Sequence, residues 1–229
     1  MHQQIRLNKR LSELGICSRR EADRYIVEGR IKVNGLKVKG MGVKVTLKDE
    51  IVFDNKVINS EQVDKIWLFY KPVGFITSHK SQREKKTIFE LVNLPVEHVK
   101  TVGRLDINSE GLLILTTSSR FKRLYEDPEN QIKRKYKVRV YGSLDKNKLF
   151  ALTQGKIVGG VKYRKCEIKI ISDIRNNTWL EVVLFEGKNR EIRNLLDSVG
   201  LKVNRLIRTE FGEYKLGHLT PGEIVEIKA

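Results

Sequence analysis

A chain of 229 residues with 45 Lys or Arg against 28 Asp or Glu carries a formal charge of +17, an excess that asks for a polyanionic partner. Apolar residues at 40% and charged residues at 32% describe a soluble globular protein of one large or two smaller domains and exclude a disordered chain. Apolar runs such as 66–70 and 112–115 fall far short of the ~20 residues of a membrane span, and Arg6, Lys9, Arg10 and Glu13 interrupt any secretory apolar region near the start.

The first predicted elements are two short helices. Leu7, Leu11 and Leu14 give an apolar stripe that stops at Gly15. Ser18-Arg19-Arg20-Glu21 is then a capping box, in which the Ser hydroxyl and the Glu carboxylate each satisfy a free backbone N–H, and Gly29 follows the helix as a left-handed cap. Ile31-Lys32-Val33 and Leu36-Lys37-Val38 flank Asn34-Gly35, which predicts a hairpin because a type I′ turn needs two positive φ angles. Their polar faces carry Arg6, Lys9, Arg10, Arg19, Arg20, Arg24, Lys32 and Lys37, donors suited to phosphate oxygens. Residues 1–60 hold 13 basic and 7 acidic side chains, and the rest 32 and 21, so both parts are basic. Such a spread suits a long polyanion, nucleic acid above all, although a basic surface also serves solubility. Residues 54–64 are a polar connection, and the domain boundary is expected there, dividing 1–60 from 61–229.

The second part carries three notable tracts. Gly103 and Gly111 bracket a polar loop with Arg104, Asp106, Asn108, Ser109 and Glu110 ahead of the buried strand 112–115. Asp106 and Asn108 can act there either as turn formers or as catalytic groups. Residues 133–141 alternate apolar Tyr136, Val138 and Val140 with Lys and Arg, a strand with one basic face. Tyr136 is either a half-buried strand residue or a stacking platform for a base. Residues 179–196 are expected to form a strand, a Gly turn and a helix beginning with Lys188, Arg190 and Arg193. Cations at a helix start oppose its dipole, so a phosphate or a carboxylate should compensate for them.

Other chemistries find little support. His2, His79, His98 and His218 lack metal-ligand spacing, and Cys17 and Cys166 form no zinc set or disulfide framework, which suits a reducing compartment. No dinucleotide fingerprint, Walker motif or Gly-x-Ser-x-Gly elbow occurs.

The run from Arg6 to Ile26, with Val33-Asn34-Gly35, resembles the RNA-binding module of ribosomal protein S four over about residues 5–55. That resemblance places Arg19, Arg20 and Lys32 near phosphates. Lys71-Pro72-Val73-Gly74, Gly103-Arg104-Leu105-Asp106, Lys135-Tyr136, the run Gly187 to Arg193 and Arg205-Leu206-Ile207-Arg208 resemble the bacterial ribosomal RNA pseudouridine synthases of the small-subunit-A-like family over residues 64–227. Within it the runs at 136–142, 186–193 and 203–208 are most similar to the large-subunit synthase B branch. Asn194 stands where that family often has Arg.

The resemblance implies an α+β fold: the small RNA-binding module, then a catalytic domain with a large, mainly antiparallel sheet and a central RNA-binding cleft. It also implies conversion of uridine to pseudouridine in 23S rRNA near the peptidyl transferase centre, naked or within an assembling ribosomal subunit, by a cytoplasmic monomer without cofactor or metal. Asp106 would be the nucleophile, attacking C1′ or acting through a glycal. Arg193 would pair with it, Tyr136 would stack on the extruded base, and Leu206 would close the pocket. Arg104 would fill the gap left in the RNA, with Lys135, Lys188 and Arg190 as further RNA contacts. A non-catalytic assembly factor on the same fold is the alternative, against which intact Asp106, Tyr136 and Arg193 argue. An RNA methyltransferase would need a glycine-rich loop that is missing.

Overall fold

The computed structural model describes residues 4–58, 64–79, 81, 84–94, 98–174 and 177–227. The N-terminal elements form as expected. Helix Leu7–Glu13 ends at Leu14 before Gly15 (φ 73°), and helix Arg19–Val27 is capped by Ser18, whose Oγ accepts from Glu21 N while the Glu21 carboxylate accepts from Ser18 N at 2.9 Å. Leu7, Leu11, Ala22, Ile26, Ile31, Val45 and Ile51 form their own small core. Asn34-Gly35 turns with φ 50° and 79° between strands Ile31–Val33 and Leu36–Lys37. The expected polar connection begins differently. Asp54-Asn55 makes a second such turn, φ 47° and 64°, joining strands Ile51–Phe53 and Lys56–Val57 into a four-stranded sheet. The expected boundary at 60/61 lies outside the described residues.

Helix Leu7–Glu13 also meets the remainder of the chain. Lys100 Nζ donates to the Ser12 carbonyl at 3.0 Å, and Arg123 pairs with Glu13 at 3.2 Å.

The larger part is a mixed sheet, nine-stranded among the described residues. Its order runs Glu167–Ile174, Asn177–Leu184, Arg134–Tyr141, Lys202–Phe211, Glu110–Thr116, Ile66–Lys71, Ile224–Ile227, with two short strands attached. All pairings are antiparallel except that of Lys202–Phe211 with Glu110–Thr116, where Ile207 faces Glu110 and Arg208 faces Gly111. Glycine is required at 111. Its φ is 104°, and a Cβ there would lie 2.4 Å from the Arg208 carbonyl oxygen. One sheet face packs Tyr136, Val138, Leu113, Leu180 and Leu206 against Leu149, Leu152, Leu195 and Leu196 from helices Lys146–Thr153 and Glu191–Asp197. The other face is covered around Leu112, Ile114 and Leu68 by helix Ser119–Glu126 and the segment after Phe211. Over Arg134–Tyr141 it stays open: Lys137, Arg139 and Tyr141 are exposed.

Candidate active site

The loop bearing Asp106 is held by its backbone. Lys71, fully buried at the end of strand Ile66–Lys71, donates from Nζ to the carbonyls of Pro72 (2.9 Å), Asp106 (3.1 Å) and Ser109 (2.7 Å). Ser109 N closes the turn onto the Asp106 carbonyl at 3.0 Å, and Thr77 Oγ1 bonds the Leu105 carbonyl at 2.8 Å. Burial pushes the Lys71 ammonium down to about 8, against the attraction of Asp106 and Glu110. These restraints are all on the main chain, and the Asp106 side chain lines the cleft.

That cleft encloses about 700 Å³. Asp106, Tyr136, Arg193 and Leu206 line it together with Arg104, Lys188 and Arg190, so one space collects most of the residues singled out in the sequence. Tyr136 and Leu206 come from adjacent strands, Leu206 opposite Val138 and Arg208 opposite Tyr136. Eight Lys or Arg against four Asp or Glu form its described lining, a potential suited to a polyanion.

Three expectations change. Among the described residues, the cation nearest the Asp106 carboxylate is Arg190, with Nη1 3.8 Å from Oδ2. Arg193 also feels the Asp106 charge, but its hydrogen bonds go to the Asn108 carbonyl (2.9 Å) and the Val203 carbonyl (3.0 Å), tying the helix to the loop and the central strand. Its Nε is buried without a partner among the described residues. Second, the helix begins at Glu191, so Lys188 and Arg190 precede it, and Arg190 occupies its N-cap in a left-handed conformation, φ 52° and ψ 27°. The compensating negative groups are carboxylates: Glu186 for Lys188 at 2.9 Å and Asp106 for Arg190. Third, Lys135 points away from the cleft, because side chains alternate along a strand and Tyr136 points in. It pairs with Glu210 (3.3 Å) and Glu181 (3.5 Å). Arg19 and Arg20 are exposed on the first turn of their helix, and Lys32 bonds Asn55 Oδ1 at 3.3 Å, all three in the N-terminal module.

Further groups were missed. Arg134 and Arg208 flank the Phe211 ring from 4.8 and 4.7 Å in the cleft wall. Arg208 is fully buried, donates from Nε to the Leu112 carbonyl (2.7 Å) and sits beside Tyr136, which opposes the downward push of burial on its pKa. The signal was parity: Arg134 is two residues from Tyr136, and Arg208 two from Leu206. Glu186 and Glu191 also meet in the wall, both buried. Burial and then the Glu186 charge push Glu191 up to about 7. At Glu186 burial acts upward too, but is outweighed by the bond from Arg164 N (2.7 Å) and by Lys188, so its carboxyl is held low. Glu191 Oε2 accepts from Lys188 N at 3.1 Å, while Oε1 has no partner among the described residues. Burial and the neighbouring Glu186 charge both favour the protonated acid at Glu191.

Comparison with known proteins agrees with this architecture. Residues 65–198 match the family described as RNA pseudouridylate synthase, and residues 5–51 match the S4 domain. The chain is 43% identical over 226 residues to an uncharacterized RNA pseudouridine synthase of Rickettsia typhi, covering 97% of this chain and 91% of that one. It is 34% identical over 218 residues to the ribosomal large subunit pseudouridine synthase B of Pasteurella multocida, covering 92% of this chain and 63% of that one. A crystal structure of a pseudouridylate synthase shares the fold, with a TM-score of 0.71 at 23% identity, over 98% of this chain and 96% of that one.

Proposed function

The chain belongs to the RNA pseudouridylate synthase family, and we propose that it isomerises uridine in ribosomal RNA, at a 23S site near the peptidyl transferase centre, with Asp106 as the catalytic carboxylate. The relatives named large subunit synthase B support the choice of ribosomal RNA. The observation that carries the reading is the environment of Asp106: a main chain fixed by Lys71 and Ser109, and a carboxylate facing the cleft with Arg190 3.8 Å away.

The reaction breaks the C1′–N1 bond, turns the uracil and forms C1′–C5, after which the proton leaves C5 and N1 carries one. Atoms and charge are conserved. Asp106 either attacks C1′ or opens the glycal route, and Arg190 orients the carboxylate for both. Arg193 positions the loop through the Asn108 carbonyl. Tyr136 takes the extruded base against its ring, Leu206 shuts the pocket beside it, and Arg104 fills the gap in the RNA. Flipping costs a few kcal/mol, which the stacking and the surrounding cations offset. Lys188 is held to Glu186, so its part in RNA binding is secondary to fixing the loop. Residues 1–60 act as the docking module of a cytoplasmic monomer, presenting Arg19, Arg20 and Lys32 to phosphates of the assembling subunit, and residues 61–229 hold the chemistry.

Mapping pseudouridine in rRNA from cells with and without the protein tests this. Loss of a 23S pseudouridine, restored by the wild type and not by Asp106→Asn, is the expected result. An unchanged map overturns the assignment, and restoration by Asp106→Asn removes that carboxylate from the chemistry.

A further inference from the structure

The basic face of strand Arg134–Tyr141 is not used by the cleft. Tyr136, Val138 and Val140 face the core, so Lys137, Arg139 and Tyr141 emerge on the opposite side of the sheet, where they are exposed. Register sets their neighbours. Arg139 lies opposite Trp179 on one side and Arg205 on the other, Tyr141 lies opposite Lys202, and Lys137 and Lys169 both lie opposite Glu181. Lys137 Nζ is 4.9 Å and Arg139 Cζ 6.0 Å from the centre of the Trp179 ring, and Tyr141 is 50% exposed.

Charge on this face favours the cations, although exposed Glu167 shares it by parity with Lys169. Glu181 and Glu210 are taken by Lys135, and Glu110 by Arg205 at 2.6 Å. Lys137, Arg139, Lys169 and Lys202 have no ion pair among the described residues. Four cations without a carboxylate partner, two of them lying by the Trp179 ring, and two aromatic rings on an open pleated surface give phosphates and base faces a place at once, without a pocket that would select one base.

We propose that this face binds a single-stranded segment of RNA, with bases on Trp179 and Tyr141 and phosphates on Lys137, Arg139, Lys169 and Lys202. An acidic protein would use the cations but gains less from the half-buried Trp179 ring and the exposed Tyr141 ring placed among them, and RNA is already the substrate of the family. The proposal rests on the chain acting on RNA but on no step of the isomerisation, which occurs on the other face. RNA running beyond the target would then be gripped on both sides of the sheet.

Tryptophan fluorescence of the whole protein tests it, because the second tryptophan, Trp67, is buried at 2% exposure. The probe is an oligoadenylate of about twelve nucleotides, which has no uridine to offer the cleft. It should quench the wild type and leave Trp179→Phe unaffected. Lys137→Ala/Arg139→Ala should bind about tenfold more weakly, with a salt slope flatter by about 1.4. Lys137→Gln/Arg139→Gln repeats the measurement should the alanine pair melt early. Quenching that persists in Trp179→Phe, or unchanged affinity and slope in the folded double variant, overturns the proposal. So does binding of polyglutamate in place of the oligonucleotide. Failure of the isomerase reading would look different: rRNA unmodified by this protein, with the quenching intact.

Discussion

Arg190 reaches to within 3.8 Å of the Asp106 carboxylate from a backbone in the left-handed region, which costs a side-chain-bearing residue about 1 to 2 kcal/mol. Strain at the point where a cation meets the candidate nucleophile separates stability from function. Arg190→Gly should be at least as stable as the wild type, by up to about 1 kcal/mol in thermal unfolding, while losing about tenfold or more in kcat/KM. A variant that is both stabilised and fully active would show that Arg190 has no part in the chemistry.

Asp106→Asn keeps the size of the side chain and the bond from Lys71 to the main chain, and removes the carboxylate. Pseudouridine formation should fall below detection while RNA affinity stays within about threefold, since loss of a transition-state group affects kcat more than binding. Tritium release from C5-labelled uridine in RNA measures the first, and filter binding the second.

Lys71→Met tests the support beneath that loop. Three carbonyls lose their donor, each buried acceptor costing about 1 to 3 kcal/mol, and relief of the buried charge offsets part of this. A net loss of about 2 kcal/mol in urea unfolding is expected, with kcat reduced because the Asp106 main chain is no longer fixed. Unchanged stability would mean that the ammonium's desolvation cancels its bonds.

Glu191 makes a prediction for pH. Its folded pKa, about 7, lies above the ordinary 4.5, so between those values the native state holds a proton that the unfolded chain has released. Stability should therefore fall as pH rises through this window, by about 2 kcal/mol, and level off above about 7. Glu186, held low, acts with opposite sign and only at lower pH. Glu191→Gln should remove the slope between pH 5 and 7 in thermal melts. A slope that survives the substitution would place the proton elsewhere.

Arg19→Ala/Arg20→Ala addresses the N-terminal module in the intact chain. Both side chains are exposed. If each meets a phosphate, log affinity against log salt should flatten by about 1.4 to 1.8, with turnover at saturating RNA unchanged. An unaltered slope would take this helix out of the RNA interface.

What was legible in the sequence was local. The Ser18–Glu21 box and the Asn34-Gly35 turn need only residues a few positions apart, and the loop around Asp106 announced itself by its glycines. Asp54-Asn55 was equally local, but lay in a stretch taken as a connector. Arg190 makes the close pair with Asp106 ahead of Arg193 because the helix starts one residue after Arg190, a boundary set by a left-handed residue that propensity does not foresee. Arg134 and Arg208 were missed because their burial depends on carbonyls that only the fold brings to them, Tyr125 from a helix for Arg134 and Leu112 from the neighbouring strand for Arg208, with the Phe211 ring between the two. Lys135 could have been placed by parity alone.

The strand Lys202–Phe211 lies between Arg134–Tyr141 and Glu110–Thr116, although it is made after both. Any half-sheets that the earlier strands form during synthesis therefore have bare inner edges, each able to pair with a foreign strand. Only when residues 202–211 have left the ribosome can the halves join, bringing Leu206 beside Tyr136 and seating Arg208 against Gly111. Closure across such sequence separation is slow as a rule, and until this last central strand arrives the chain lacks Leu206, Arg208 and Phe211 from its cleft wall.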